Sequence, residues 1–445
     1  MNGSPSLVHE SNRALLPMSR HQPYFDRLDS LAEAPSCRAY RLGMNAPGSV
    51  GYNRTTMRRW LALISVILVA VLWALVPSDA QHVSTAGCTF VVPTGGRIQA
   101  ALRREPRGAT ICVTSGSYRV RSSLRPKADQ TIRGIGSPRP TIVCTTAFCV
   151  DGSTGPDHVS FVRLTLAGAS GVDIRAGKNW VILGVEARSA GVAGISVRGS
   201  GVSITDSYVH HNGKVGINAV DVAHLSIAGT EVAFNPTDPS FGSGVSGGLK
   251  LNGVNGLLLQ DDLIHDNGGG AGIWLDANSR NFDLKGNRVF GSAHDGIRVE
   301  ISCNGALEGN TVEGSAGTGI DLFNSHGITL TSNTVSTPSD AGAAIRMLGT
   351  GRTTSPGTGA CAIGGGYDNV DNIAIGNSIT MTDATTLAGI LSTGGVTASD
   401  SWSSTTFDVP DCADLQWRWW DGTTNQKVDF AGWQGFGQDL AGSCN

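Results

Sequence analysis

Lys250, Trp274 and Arg298 stand 24 residues apart, and so do Asn252, Asp276 and Glu300. If some 24 residues make one layer of a stacked structure, each set forms a column whose neighbours lie about 4.8 Å apart. Asp276 and Glu300 would then be neighbours, with Lys250 and Arg298 flanking Trp274. Two carboxylates that close either share a proton, with one pKa raised, or hold a cation such as calcium. A lysine or arginine beside them can neutralise an anion or move a proton, and an outward tryptophan offers a stacking face. The plain alternative is an exposed strand surface that is charged for solubility and pairs weakly across layers.

The layers that would build these columns are written in the chain. A Gly-aliphatic pair recurs at Gly171-Val172, Gly194-Ile195, Gly216-Ile217, Gly248-Leu249, Gly272-Ile273, Gly296-Ile297 and Gly319-Ile320, with Ala344-Ile345 as a weaker successor. A second signal, an aliphatic usually two residues after Asn or Asp, runs through Val209, Val232, Ile264, Val289, Val312, Val335 and Ile379. Both show steps of 22 to 25 residues and one step of 32, which places an insertion at about residues 235 to 245; the final step of 44 in the second signal reads as two turns. A unit this short, with apolar residues alternating, is a coil of short strands rather than a helical hairpin. Glycine and asparagine are expected at corners that need positive φ. Side chains two and four after each glycine face outward, giving Asp173/Arg175, Ser196/Arg198, Asn218/Val220, Lys250/Asn252, Trp274/Asp276, Arg298/Glu300 and Asp321/Phe323.

Composition agrees with many strands and turns: 60 glycines among 445 residues and only 16% charged side chains. The formal charge of −3 and the absence of a Lys/Arg block argue against a nucleic-acid partner. Trp60 to Val76 is an apolar run behind Arg58 and Arg59, so residues 57–80 read as a signal peptide or signal anchor, with 1–56 as a poorly structured extension or a mis-assigned start. Either reading puts the remainder outside the cytoplasm, secreted or membrane-anchored, with membrane contact only through that segment. Eight cysteines follow it, and the expected disulfides are Cys88 with Cys112, Cys144 with Cys149, Cys303 with Cys361, and Cys412 with Cys444. Residues 81–124 are assigned to an N-terminal cap and first coil, with a short amphipathic helix around Ile98 to Leu102. Residues 125–400 are assigned to the repeats, and 401–445 to a Trp-rich C-terminal cap, with a sugar-stacking platform as the weaker reading of its tryptophans.

The cap with Gly116-Ser117-Tyr118, and the coils with Gly272-Ile-Trp-Leu-Asp276, Gly296-Ile-Arg-Val-Glu-Ile-Ser302 and Gly-Asn-x-Val at 286–289 and 309–312, resemble the right-handed parallel β-helix repeat proteins. That superfamily holds pectate lyases, alginate lyases, mannuronan epimerases and polygalacturonases, and the resemblance spans roughly residues 88 to 440. It implies an all-β, single-stranded right-handed parallel β-helix with a short N-terminal capping helix, expected to be a monomer acting on polysaccharide. The first functional expectation is a lyase or epimerase of uronate-containing glycans. Lys250, Arg298, Asp276 and Glu300 would do the chemistry, Trp274, Asn252 and Asp321 would contact the sugar, and calcium would sit on Asp276 and Glu300. A glycoside hydrolase using Asp276 and Glu300, and a non-catalytic carbohydrate-binding or structural protein, remain open. Asp261-Asp262 matches the polygalacturonase pattern only in part, and His210, His211, His265 and His294 read as corner or surface residues.

Overall fold

The computed structural model describes residues 85–337, 342–353, 359–384, 386–393, 399–420 and 425–445. The apolar run and the extension before it lie outside the described residues; among those described, no helix is long and apolar enough to cross a membrane. From Phe90 onward the chain winds through three sheets, A and B of thirteen strands and C of twelve, parallel except for the last strand of C, Asn425–Val428, which runs antiparallel to Trp417–Trp420. From Phe148 to Asp408 each coil adds one strand to each sheet. The aliphatics of the first sequence signal stack in one row, Ile195, Ile217, Leu249, Ile273, Ile297, Ile320 and Ile345. All are buried in the core, each contributing roughly 1.5–3 kcal/mol of burial.

The two sequence signals meet in a single contact. A Cβ placed on Gly272 would stand 2.7 Å from Val289 Cγ1, so the glycine is needed because the valine that closes the same coil packs against its backbone. At the corner between sheets A and B, Asn287, Asn310, Asn333 and Asn377 form a ladder. Asn310, Asn333 and Asn377 each accept the backbone N–H of the asparagine before it, Asn287 accepts that of Asp262, and all four donate to a leucine carbonyl of the preceding coil. These asparagines do not adopt positive φ, contrary to expectation. The residue before each one does: Gly286, Gly309, Ser332 and Gly376. The turn thus uses glycine for conformation and asparagine for hydrogen bonding.

Three further expectations are corrected. Arg175, not Asp173, pairs with Ser196, so the coil at Gly171 is shifted by two residues and Asp173 is buried, its carboxyl pushed up to about 8 by desolvation. The 44-residue step is one coil: Val335 pairs directly with Ile379, and the surplus lies largely between strands Ala343–Gly349 and Ile373–Ile375. The repeat also continues past residue 400, where Trp402 pairs with Ala374, Phe407 with Ile379 and Trp419 with Leu391. Aromatic residues there take over aliphatic positions, which erases the Gly-aliphatic pattern while keeping the coil. Trp402, Trp417, Trp419 and Trp433 are buried in the core and offer no sugar platform.

All four disulfides join the expected partners: Cys88–Cys112, Cys144–Cys149, Cys303–Cys361 and Cys412–Cys444. The N-terminal helix, Ile98–Arg104, buries Ile98, Ala101 and Leu102.

Candidate functional site

Sheet C carries the expected column on its outer face. Asn218, Lys250, Trp274, Arg298, Asp321 and Arg346 pair in register, one per coil. Period-two alternation turns them out because Ile273, Leu275, Ile297 and Val299 point into the core. A cleft of about 350 Å³ opens here, lined by Ser243, Gly244, Trp274, Asp276, His294, Asp295, Arg298 and Glu300 among others. The inserted loop between strands Glu231–Ala233 and Gly247–Asn252 supplies Ser243 and Gly244.

Lys250 lies against Trp274, its Nζ 2.9 Å from a ring centroid, and donates to Asp276 Oδ2 at 2.7 Å. Burial lowers the proton affinity of this amine, with Asp276 opposing. Asp276 Oδ1 also accepts the backbone N–H of Ala277 at 2.7 Å. The Arg298 guanidinium sits 5.3 Å from a Trp274 ring centroid, so the tryptophan packs against the two cations rather than standing free. Its Nε1 is buried without an acceptor, and Asn252 Oδ1 is buried without a donor.

Arg298 is the hub. Its Nε donates to Glu300 at 3.1 Å, and its Nη1 reaches Asp295 at 3.1 Å and Asp321 at 3.3 Å. Asp321, expected to contact sugar, is fully buried and held bidentately by Arg346 at 2.7 Å for each contact. It therefore positions Arg298 from beneath instead of meeting a ligand. Asp276 and Glu300 line one cleft but each is engaged by cations, Glu300 also by Arg352 Nη1 at 3.1 Å. Among the described residues no three His, Cys, Asp or Glu side chains stand together to hold a metal. This donor set does not fit calcium, which would have to displace Lys250 or two guanidinium groups.

Two contributors escape the sequence reading. His294, taken as a corner residue, is half exposed in the cleft with Nδ1 3.3 Å from Asp295. That hydrogen bond raises its proton affinity above the ordinary imidazole value. Burial pushes Asp295 the other way, upward, but His294, the Thr318 N–H and Arg298 together hold it at about 2. The adjacency of His294-Asp295 to Gly296-Ile297 was the available signal, since it places both at the entry to the functional column. Arg352 comes from the surplus loop after strand Ala343–Gly349, which Cys303–Cys361 and the Tyr367 hydroxyl on Asn278 Oδ1 pin to the coils. A loop out of register carries no periodic signal.

The comparisons with known proteins define the class. The family described as "Right handed beta helix region" matches residues 149–335, and the chain folds as a right-handed parallel β-helix. Similar solved structures include two A-modules of Azotobacter vinelandii mannuronan C-5 epimerases. For AlgE6 the identity is 16%, the TM-score 0.52, and the match covers 70% of this chain and 87% of that one; for AlgE4 the values are 15%, 0.51, 68% and 87%. XylC in complex with xylose matches at 10% identity and TM-score 0.52, covering 71% of this chain and 83% of its own. No curated protein matches the chain.

Proposed function

We propose that this is an extracytoplasmic polysaccharide-modifying β-helix protein, a lyase or epimerase acting on uronate-containing glycans at the cleft beside Trp274. The observation that carries the reading is the convergence in one cleft of an imidazole, His294, with the arginine hub Arg298 and with Asp276, to which Lys250 donates from behind. Groups whose environments push their proton affinities apart are the usual acid and base, and here the amine of Lys250 is lowered and the imidazole of His294 raised. Arg298 and Arg352 neutralise the sugar carboxylate, so that the proton on the adjacent carbon can leave. The Lys250–Asp276 pair takes up that proton. His294 then returns a proton to the same carbon in epimerisation, or gives it to the leaving oxygen in elimination. Four disulfides support an oxidising compartment, and similar folds named for mannuronan epimerisation and for a xylose complex make a sugar a natural ligand class.

A hydrolase needs Asp276 or Glu300 as proton donor, whereas both accept charged hydrogen bonds. The second reading, carbohydrate binding without turnover, is favoured by the fact that Lys250 and Arg298 already have counter-ions. One experiment separates them: incubation of the protein with polymannuronate and polygalacturonate in deuterated water. Unsaturated-uronate absorbance identifies a lyase, and deuterium at the carbon bearing the carboxylate, without chain cleavage, an epimerase. Lys250→Met and His294→Gln should each lower turnover by about 10²-fold or more, with the alkaline limb of the pH profile lost only in His294→Gln. Neither signal from a folded protein would leave the binding reading.

A further inference from the structure

The charge of the molecule is concentrated at one end. Residues 85–139 hold ten Lys and Arg against two carboxylates, while residues 140–445 hold fifteen against twenty-nine. Most of the ten are spoken for. Arg104, Arg107 and Arg125 pair with Glu105, Asp129 and Asp151, while Lys127, Arg133 and Arg139 donate to backbone carbonyls. Arg97, Arg103, Arg119 and Arg121 remain, all exposed and none in an ion pair. These four line a single groove of about 670 Å³ that has no acidic residue in its walls.

The groove follows from local structure. Strand Ser117–Val120 alternates exposed and buried residues, with Tyr118 and Val120 turned inward, so Arg119 projects outward, and Arg121, the first residue after the strand, is exposed as well. Arg97 caps the start of helix Ile98–Arg104 and Arg103 lies in its last turn, while its buried residues Ile98, Ala101 and Leu102 fix it against the first coil. Gln99, Ser117 and Ser122 add hydrogen-bonding groups to the lining. Guanidinium groups match carboxylates bidentately and are less strongly hydrated than ammonium groups. The contrast with the cleft is informative, because every cation there is already engaged by a carboxylate.

We propose that this N-terminal groove is a second binding site, for an extended carboxylate-bearing polysaccharide chain. A concave lining with arginines from the helix and from the strand grips a linear polyanion from two sides, whereas a planar anionic lipid surface would meet only its rims. Sheet C at Trp274 lies six coils beyond the first coil, roughly 29 Å along the stack, so the groove holds the polymer away from the cleft. The proposal goes beyond the reaction at the cleft and shares with it only the class of ligand.

The test is titration of the full chain with sodium polygalacturonate, with dextran as the neutral polymer and phosphatidylglycerol vesicles as the anionic surface. Binding should be specific to the polyuronate and weaken with salt. The combined variant Arg97→Gln, Arg103→Gln, Arg119→Gln, Arg121→Gln should lose at least tenfold in affinity, while Lys427→Gln, at an exposed lysine outside both the groove and the cleft, keeps the wild-type value. All four substitutions are on the surface, and the β-rich spectrum checks folding. Unchanged affinity in the fourfold variant, or no polyuronate binding at all, overturns the proposal. Capture by vesicles but not by polyuronate also overturns it and gives the groove to a lipid surface. Turnover is read separately, so a silent cleft leaves the groove result standing.

Discussion

Two polar columns run along this β-helix, and they are built on opposite principles. At the corner between sheets A and B, Asn287, Asn310, Asn333 and Asn377 repeat one side chain, buried, the first three each donating to the next and Asn377 to the Leu330 carbonyl. On the outer face of sheet C, Lys250, Trp274, Arg298, Asp321 and Arg346 never repeat in succession, and their partners come partly from elsewhere: Asp295 and His294 from the coil entry, Arg352 from an inserted loop. A ladder of identical amides solves a problem that every coil has, the unsatisfied backbone at a turn. A column that changes residue at each step, and recruits irregular loops, solves a problem that exists at one place only. Uniformity along the stack marks architecture, and local departure from it marks a site.

Removing the hub of the sheet C column is the strongest way to test this contrast. Arg298→Met would leave Asp295 and Asp321, each nearly or fully buried, short of a cation they share, a situation that typically costs about 3–5 kcal/mol. Denaturant unfolding measures it, and adding Asp321→Asn should recover part of the loss. If Arg298→Met unfolds like wild type, the column is solvated surface and not a network. Breaking the amide column should cost somewhat less. Asn310→Ala orphans the Asn287 N–H, takes one of two acceptors from the Asn287 amide, which keeps Leu259, and removes the side-chain donor to the Leu284 carbonyl, for about 3 kcal/mol at roughly 1 kcal/mol each. It should leave turnover and polyuronate affinity unchanged at temperatures where the protein is folded; a change in either would mean that the ladder is not purely architectural.

Much of this was legible from spacing alone. Period-two alternation assigned Lys250, Trp274 and Arg298 to one outer face, and the 24-residue step put them in one column. Spacing does not say how far a side chain reaches along the stack. Asp321 is on the predicted face but disappears beneath two arginines, and Trp274 is outward but covered by cations. Such closure depends on side-chain length and charge across coils, which periodicity does not encode. Arg352 was invisible for a different reason. Its loop expands one coil to the length of two, so the periodic reading absorbed it as an ordinary turn. The aromatic coils after residue 400 were missed because Trp402 and Phe407 fill the core by volume rather than by the aliphatic signature.

The smallest expected effect is the sharpest test of the ladder, because it lies where the amide series is interrupted. Asp262 occupies the ladder position one coil before Asn287: its Oδ1 accepts the Thr230 N–H at 2.8 Å, as the asparagines do for their own neighbours. Its Oδ2, where an asparagine would carry its donor, is buried with no partner. Desolvation pushes this carboxyl up to about 7, against about 3.9 in an unfolded chain. The folded state therefore holds the proton more tightly, so the stability linked to it is fully present below about pH 4 and is lost as pH rises through 7. Asp262→Asn supplies a permanent donor toward the Ile227 carbonyl, the counterpart of Leu259 in the next coil. It should gain about 1–3 kcal/mol above pH 7 and little below pH 4, measured as the difference in denaturant midpoints across that range. A gain independent of pH would mean the carboxylate is solvated after all. A loss would mean that Asp262 is ionised for a purpose of its own, and the corner column would then hold a site as well as a scaffold.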